Sequence, residues 1–153
     1  MIAAALLSTL HLLALALGLP GVVLRATALG ALRRGEPGAE ARVLRADNAW
    51  GAAAVLWLAT GLLRAFGPFE KGPGYYLHST PFLLKLGCFG AILALEVLPM
   101  ITFLRWRVAQ ARKGPLDLSR LPLLHRLTQA EVGLTLAMPF LASLMARGVG
   151  FGA

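Results

Sequence analysis

Apolar residues occupy four long stretches of the chain, and most polar and charged residues lie in the three segments between them. The stretches cover roughly residues 2–24, 46–66, 77–104 and 121–146. Each is close to or longer than the ~20 residues that an α-helix needs to cross about 30 Å of hydrocarbon. Strands of a membrane barrel would instead place polar residues at every second position. The pattern therefore predicts an all-α integral membrane protein with four transmembrane helices.

The connections between the stretches are short, which favours antiparallel packing of successive helices. We therefore expect a single membrane domain, residues 1–153, folded as an up-down four-helix bundle. The composition supports this class, because 58% of the residues are hydrophobic and 14% are charged. A soluble domain has a much larger charged fraction.

The Lys and Arg residues are distributed unevenly over the connections. Five lie around the first connection, two around the second and six around the third. Cytoplasmic segments of membrane proteins carry an excess of these residues. We therefore expect the first and third connections inside the cell and both termini outside. Topology and anionic lipid also explain the net charge of +8, so we expect no nucleic-acid partner.

The connections also contain turn and capping residues. The first, RRGEPGAEARVLRADN, indicates a turn and a short amphipathic lead, with Asp47 or Asn48 as the cap of the second helix. The second, GPFEKGPGYY, predicts a loop whose two tyrosines lie at the membrane interface. In the third, Asp117 or Ser119 is the predicted cap of the last helix.

Each predicted helix carries a stripe of polar or small residues at helical spacing. The ionisable members are His11 and Arg25 on the first helix, Arg64 on the second, Lys85 and Glu96 on the third, and Glu131 on the fourth. Spacings of seven and eleven residues nearly complete whole turns, so these side chains share one side of their helix. Such stripes normally face the interior of a bundle, because lipid accommodates the apolar faces.

The depth of these residues predicts two groups. At 1.5 Å per residue, His11 lies about 13 Å along the first helix and Lys85 about 10 Å into the third, so both fall in the outer half. We expect them to share one cavity, with Arg64 nearer the outer surface. The inner half holds Glu96, Glu131, Arg25 and Arg126 as structural intramembrane charges.

Each of these residues has a structural and a functional interpretation. His11 either hydrogen-bonds a neighbouring helix or serves as a cofactor ligand or proton carrier. Lys85 either neutralises an acid or contacts a ligand. We expect Glu96 and Glu131 to pair with arginines rather than transfer protons, because an unpaired charge in hydrocarbon costs roughly 2.5–3.5 kcal/mol or more.

Three stretches of the chain resemble an uncharacterised family of predicted four-helix bacterial membrane proteins. They are LRADNAWGAAAVLWLATGLLRAF, EKGPGYYLHSTPFLLKLG and LASLMARGVG, in this order after a helix containing LHLLAL. The resemblance covers nearly the whole chain. It implies a multi-pass protein of the bacterial inner membrane, and it supplies no biochemical activity.

A second similarity is to the HemJ-type protoporphyrinogen oxidases, small four-helix membrane proteins associated with haem b. The shared stretches are STLHLLAL, RVLRADNAW, PFLLKLG and HRLTQAEVG. This resemblance implies that His11 and Lys85 correspond to a first-helix histidine and a third-helix lysine that are functionally important there. Glu96, the Tyr-rich outer loop and the MARG ending are not HemJ features.

The first functional hypothesis is therefore a membrane-embedded redox protein associated with haem or a related tetrapyrrole. Haem b would lie in the outer half, with His11 as the axial iron ligand. Lys85 and Arg64 would contact propionates or take part in proton transfer. If the protein is an enzyme, this hypothesis makes it an oxidoreductase.

Two alternatives remain open at the level of sequence. The protein is either an accessory or assembly subunit of a larger membrane complex without a cofactor of its own, or a small transporter or proton pathway. The last would use Lys85, Glu96 and Glu131, although no inverted repeat is evident. The expected partners are the lipid bilayer and either further membrane subunits or second copies of the chain.

Overall fold

The computed structural model describes residues 2–68 and 73–149, in which all regular elements are helices. The helices are α1 (Ile2–Arg33), α2 (Ala39–Phe66), α3 (Pro73–Leu77), α4 (Thr80–Ala111) and α5 (Leu121–Ala146). The four long helices, α1, α2, α4 and α5, are long and apolar enough to span a membrane. The prediction of an all-α, four-span membrane protein is confirmed.

The long helices extend beyond the apolar stretches that predicted them. With 32 residues each, α1 and α4 are about 48 Å long, which exceeds the ~30 Å of hydrocarbon. Because α2 begins at Ala39, Asp47 and Asn48 lie inside the helix, and the prediction that one of them caps it was wrong. The Ala, Arg, Leu and Glu residues that precede them are strong helix formers, so the helix starts earlier than the change in hydropathy.

A tight turn joins α1 to α2. Gly35 and Gly38 have φ angles of 74° and 68°, a left-handed conformation that glycine adopts without steric cost. Between them, Glu36 accepts hydrogen bonds from Arg34 and Arg42 at 2.8 Å and 3.0 Å. The Arg34 guanidinium, assisted by Arg42, holds the pKa of the Glu36 carboxyl below its ordinary value.

The connection between α4 and α5 also differs from the prediction. The residue at the N-cap of α5 is Arg120, and no side chain caps the helix. Asp117 Oδ1 instead accepts a hydrogen bond from the Ser119 backbone N–H at 2.9 Å. The Ser119 hydroxyl, together with this N–H, lowers the pKa of Asp117. The Asp117 carbonyl accepts a hydrogen bond from Trp106 Nε1. The prediction that Asp117 or Ser119 caps α5 was therefore wrong. Asp117 instead bonds the connection to α4 through Trp106.

The segment predicted as an outer loop contains the short helix α3. The side chain of Tyr76 is buried, and its ring packs on Phe82 with centroids 5.2 Å apart. Tyr76 therefore faces the protein interior, where it lines the outer cavity, and its position at the membrane interface stays a prediction. The side chain of Tyr75 lies outside the described part of the structure.

Helix α1 is central to the packing of the bundle. It packs against α2 and α5, and α4 packs against α5, whereas α2 and α4 stand farther apart. The backbones of α2 and α4 are therefore the farthest apart of the neighbouring pairs, and side chains such as Trp57 and Phe89, whose ring centroids are 5.8 Å apart, bridge them. We call the end that carries α3 the outer end, and the end with the other two connections the inner end.

Small residues on α1 allow the close approach of α2. A Cβ atom at Gly21 would lie 3.0 Å from the backbone nitrogen of Trp50, and one at Gly18 would lie 3.3 Å from the Trp50 ring and from Ala53. Large apolar side chains such as Leu12, Leu17 and Val55 point outward and are exposed. This distribution, with small residues between helices and large apolar ones outside, is typical of helices packed in lipid.

We expect Gly21→Ala to lower the free energy of unfolding by about 1–3 kcal/mol, because the added methyl group meets backbone rather than a movable side chain. Gly133→Ala is the matched control, since a Cβ there has no neighbour within 4 Å. Thermal unfolding of the detergent-solubilised variants measures the difference. Equal melting temperatures would contradict the close α1–α2 contact.

Candidate functional site

Two polar centres lie inside the bundle, one near each end. The outer centre is a partly open cavity of about 130 Å³ lined by residues of all five helices. Its polar members are His11, Arg64 and Lys85. The structure therefore brings together the three side chains that the sequence placed in the outer half. Aromatic and methionine side chains, including Phe89, Met138 and Met145, form most of the remaining wall.

His11 is held at the cavity by hydrogen bonds to α2 from both ring nitrogens. Trp57 Nε1–H donates to His11 Nε2 at 3.0 Å, and His11 Nδ1 lies 2.9 Å from Thr60 Oγ1. The Thr60 hydroxyl donates its own hydrogen to the Leu56 carbonyl at 2.7 Å, so it accepts from His11 Nδ1–H. These partners assign a neutral imidazole with its proton on Nδ1.

Lys85 and Arg64 supply two positive charges to one apolar cavity. The Lys85 ammonium is half-buried, and its charged neighbour is Arg64. Within residues 2–68 and 73–149, no hydrogen bond or ion pair of the Lys85 side chain is present. Like charges at short range repel each other strongly in surroundings of low dielectric constant. The Lys85 ammonium can therefore pair with a negatively charged group placed in the cavity.

The geometry of this cavity does not fit a haem group. Iron ligation needs an imidazole nitrogen with a free lone pair, and His11 Nε2 already accepts the Trp57 hydrogen bond. The volume of about 130 Å³ is below the roughly 300–1,000 Å³ of pockets that bury a drug-sized ligand.

The inner centre is a cluster of charges around Arg25, whose side chain is 0% exposed. Its guanidinium donates to both oxygens of Glu96 at 2.8 Å and 2.7 Å, to Asp47 at 2.9 Å and to Glu131. It lies about 6 Å from the ring centres of Trp50 and Phe103. Arg25 therefore connects α1 to the other three long helices through charge-assisted hydrogen bonds.

Arg107 continues this cluster toward the inner end of the bundle. It donates to Asp47 at 2.8 Å, to Asn48 at 2.6 Å and to the Leu44 carbonyl at 3.2 Å. Asp47 and Arg107 were not predicted from the sequence as members of this centre. For Arg107 a signal was present, because it follows Glu96 by eleven residues, the spacing that also separates Lys85 from Glu96.

Arg126 lies outside the cluster, although the sequence placed it with Glu96 and Glu131. It is exposed, and among the described residues no ion pair joins it to either glutamate. Five residues separate Arg126 from Glu131, which rotates the two side chains about 140° apart on α5. The assignment of Arg126 to the buried charges rested on depth alone and was wrong.

The arrangement of four long apolar helices around buried charges defines a multi-pass helical membrane protein. The chain belongs to the family described as "Predicted membrane protein (DUF2214)", whose model matches residues 3–150. This confirms the resemblance to an uncharacterised membrane-protein family. No curated protein and no solved structure matches the chain, and the similarity to HemJ-type enzymes receives no support from these comparisons.

Proposed function

We propose that this protein is a membrane-embedded binding protein that holds the acidic head of an amphiphilic molecule in its outer cavity. The observation that carries the proposal is Lys85, a half-buried ammonium beside a second cation at an otherwise apolar site. A carboxylate or phosphate placed there would pair with Lys85 and lower its repulsion with Arg64. Charge-assisted hydrogen bonds of this kind are about twice as strong as neutral ones.

The surroundings of the two cations support an amphiphile rather than a small hydrophilic anion. Phe66, Phe82 and Phe89 contribute to the cavity wall, and aromatic walls favour apolar ligand groups. The volume admits a head group and a few carbon atoms. The rest of an apolar chain would leave between α2 and α4, the pair of neighbouring helices that packs least closely.

This proposal keeps part of the first functional hypothesis. Lys85 and Arg64 retain the role of contacting carboxylates, whereas His11 is a structural element of the cavity wall rather than an iron ligand. The expected orientation, with this cavity toward the cell exterior, stays a prediction from the charge distribution. A role as an accessory subunit of a larger complex also stays a prediction, since no described surface identifies a partner.

We expect Lys85→Met to weaken binding of a brominated fatty acid about 10- to 100-fold, the equivalent of a charge-assisted hydrogen bond of ~1.5–3 kcal/mol. Bromine quenches tryptophan fluorescence on contact, and Trp57 lines the cavity. Quenching is measured in a non-ionic detergent against the alcohol of the same brominated chain. Wild-type protein should prefer the acid, and the variant should lose this preference.

Lys113→Met is the matched control, because it removes the same charge from an exposed position outside the cavity. It should bind the acid as the wild type does. Equal quenching of the wild type by acid and alcohol would reject the proposal. An absorption spectrum of protein expressed with ample haem tests the haem hypothesis separately, because a bound haem absorbs visible light.

A further inference from the structure

The charges of the inner cluster do not balance. Arg25 and Arg107 contribute two positive charges, and Asp47, Glu96 and Glu131 contribute three carboxylates. With every carboxyl group ionised, the cluster would carry one net negative charge inside the bundle. Burial of an uncompensated charge is costly enough that a group neutralises instead. One of the three carboxyl groups therefore has reason to hold a proton.

Two of the three carboxylates are fully supplied with donors. Both Glu96 oxygens accept hydrogen bonds from Arg25, and Glu96 Oε2 also accepts from Trp50 Nε1 at 3.0 Å. Asp47 accepts from Arg25 on one oxygen and from Arg107 on the other. Each oxygen of these two groups is therefore stabilised as part of an anion.

Glu131 differs from them in both burial and hydrogen bonding. Its side chain is 0% exposed, and Oε2 accepts from Arg25, while Oε1 is buried without a hydrogen-bond partner. Thr128 lies three residues before Glu131 on α5 and Thr135 four residues after it, about one turn in each direction. Their hydroxyls are likewise buried without partners. A neutral carboxylic acid at Glu131 needs fewer donors than a carboxylate does.

We propose that Glu131 is a proton-binding site of the membrane domain, with one exchangeable proton on Oε1. Gain of the proton converts the Glu131 carboxylate to a neutral acid and brings the cluster from one net negative charge to zero. The groups that face it are Arg25 on α1, Asp47 on α2, and Glu96 and Arg107 on α4. Oε2 remains the acceptor for Arg25 in both states.

The cluster also connects Glu131 to the inner end of the bundle. Side-chain exposure rises from 0% at Glu131 and Arg25 to 13% at Asp47 and 31% at Arg107. Asn48, which accepts from Arg107, is exposed. Hydrogen-bonded polar groups therefore form a continuous line from the buried carboxyl group to the surface at the inner end.

Glutamine substitution distinguishes a neutral glutamate from an ionised one, because the amide has the shape of the acid without its charge. Glu131→Gln should melt within error of the wild type, since the amide oxygen can take the place of Oε2 and accept from Arg25. Glu96→Gln should lower the melting temperature by several degrees, because it removes the negative charge that pairs with both guanidinium nitrogens. Equal losses in the two variants would overturn the proposal.

Infrared spectroscopy of the wild-type protein provides a second test that needs no variant. At neutral pH the exposed acids are ionised, so one carbonyl band of a buried carboxylic acid should appear and should shift in D₂O. The band should disappear in Glu131→Gln and persist in Asp117→Asn, which changes an exposed acid. Absence of the band in the wild type, or its persistence in Glu131→Gln, would refute protonation of Glu131.

Discussion

Replacement of Arg25 by methionine is expected to lower the free energy of unfolding by about 3–5 kcal/mol, the usual cost of removing one partner from a buried ion pair. The substitution leaves Asp47, Glu96 and Glu131 close together without the cation that separates them. Methionine fills much of the space of the arginine stem, so lost packing contributes little. Much of the effect therefore comes from uncompensated carboxylates.

Thermal or denaturant unfolding in a mild detergent measures this effect. Arg126→Met is the matched control, because Arg126 is exposed on the opposite side of α5, and its loss should leave the melting temperature unchanged. The double variant Arg25→Met with Glu96→Gln should recover part of the stability by removing one of the orphaned charges. If Arg25→Met melts with the wild type, the cluster does not hold the four helices together.

Replacement of His11 by alanine is expected to cost about 2–5 kcal/mol of folding stability. The change leaves the Trp57 indole N–H without its acceptor and removes the donor to the Thr60 oxygen, and an unsatisfied buried group costs roughly 1–3 kcal/mol. It also leaves space beside Gly61, where an added Cβ atom would lie 3.2 Å from His11 Cε1. Loss of packing at such a site adds to the cost.

The same measurement with His125→Ala provides the control, because His125 is a half-buried histidine whose hydrogen bond to Arg33 is exposed. That variant should lose much less stability. A histidine that served as a free iron ligand would behave in the opposite way, since its removal would abolish cofactor binding and leave the bundle intact. Unchanged stability of His11→Ala would contradict the hydrogen-bond network of His11 with Trp57 and Thr60.

The two centres suggest different tasks at the two levels of the bundle. His11 and Arg25 lie on one side of α1, separated by about 21 Å along the helix axis. The outer centre presents positive charge to a cavity. In the inner centre the buried cation Arg25 is surrounded by three carboxyl groups. Variants in one centre should accordingly leave the readout of the other unchanged, because no described ion pair joins them.

Local features of the sequence account for the predicted helices. Hydropathy over about twenty residues is a property of each segment by itself, and it identified four spans within a few residues at α5 and at the outer end of α2. It failed at the inner ends of α1, α2 and α4, where the helices continue beyond the apolar stretches. In these segments the residues have high helix propensity, so the helix continues although charged residues lower the hydropathy. Hydropathy therefore does not mark where these helices end.

Periodicity by itself determined that His11, Lys85 and Arg64 face inward in one half, and that Arg25, Glu96 and Glu131 do so in the other. The choice of partner was decided by the tertiary structure: Arg25 bonds Asp47 as well as the two glutamates, Arg126 is left outside, and both nitrogens of His11 are bonded to α2. Such contacts depend on the rotation and axial shift of one helix against another. For α1 and α2, close packing at Gly18 and Gly21 fixes this rotation and shift. The spacing of residues within a single helix gives no information about either.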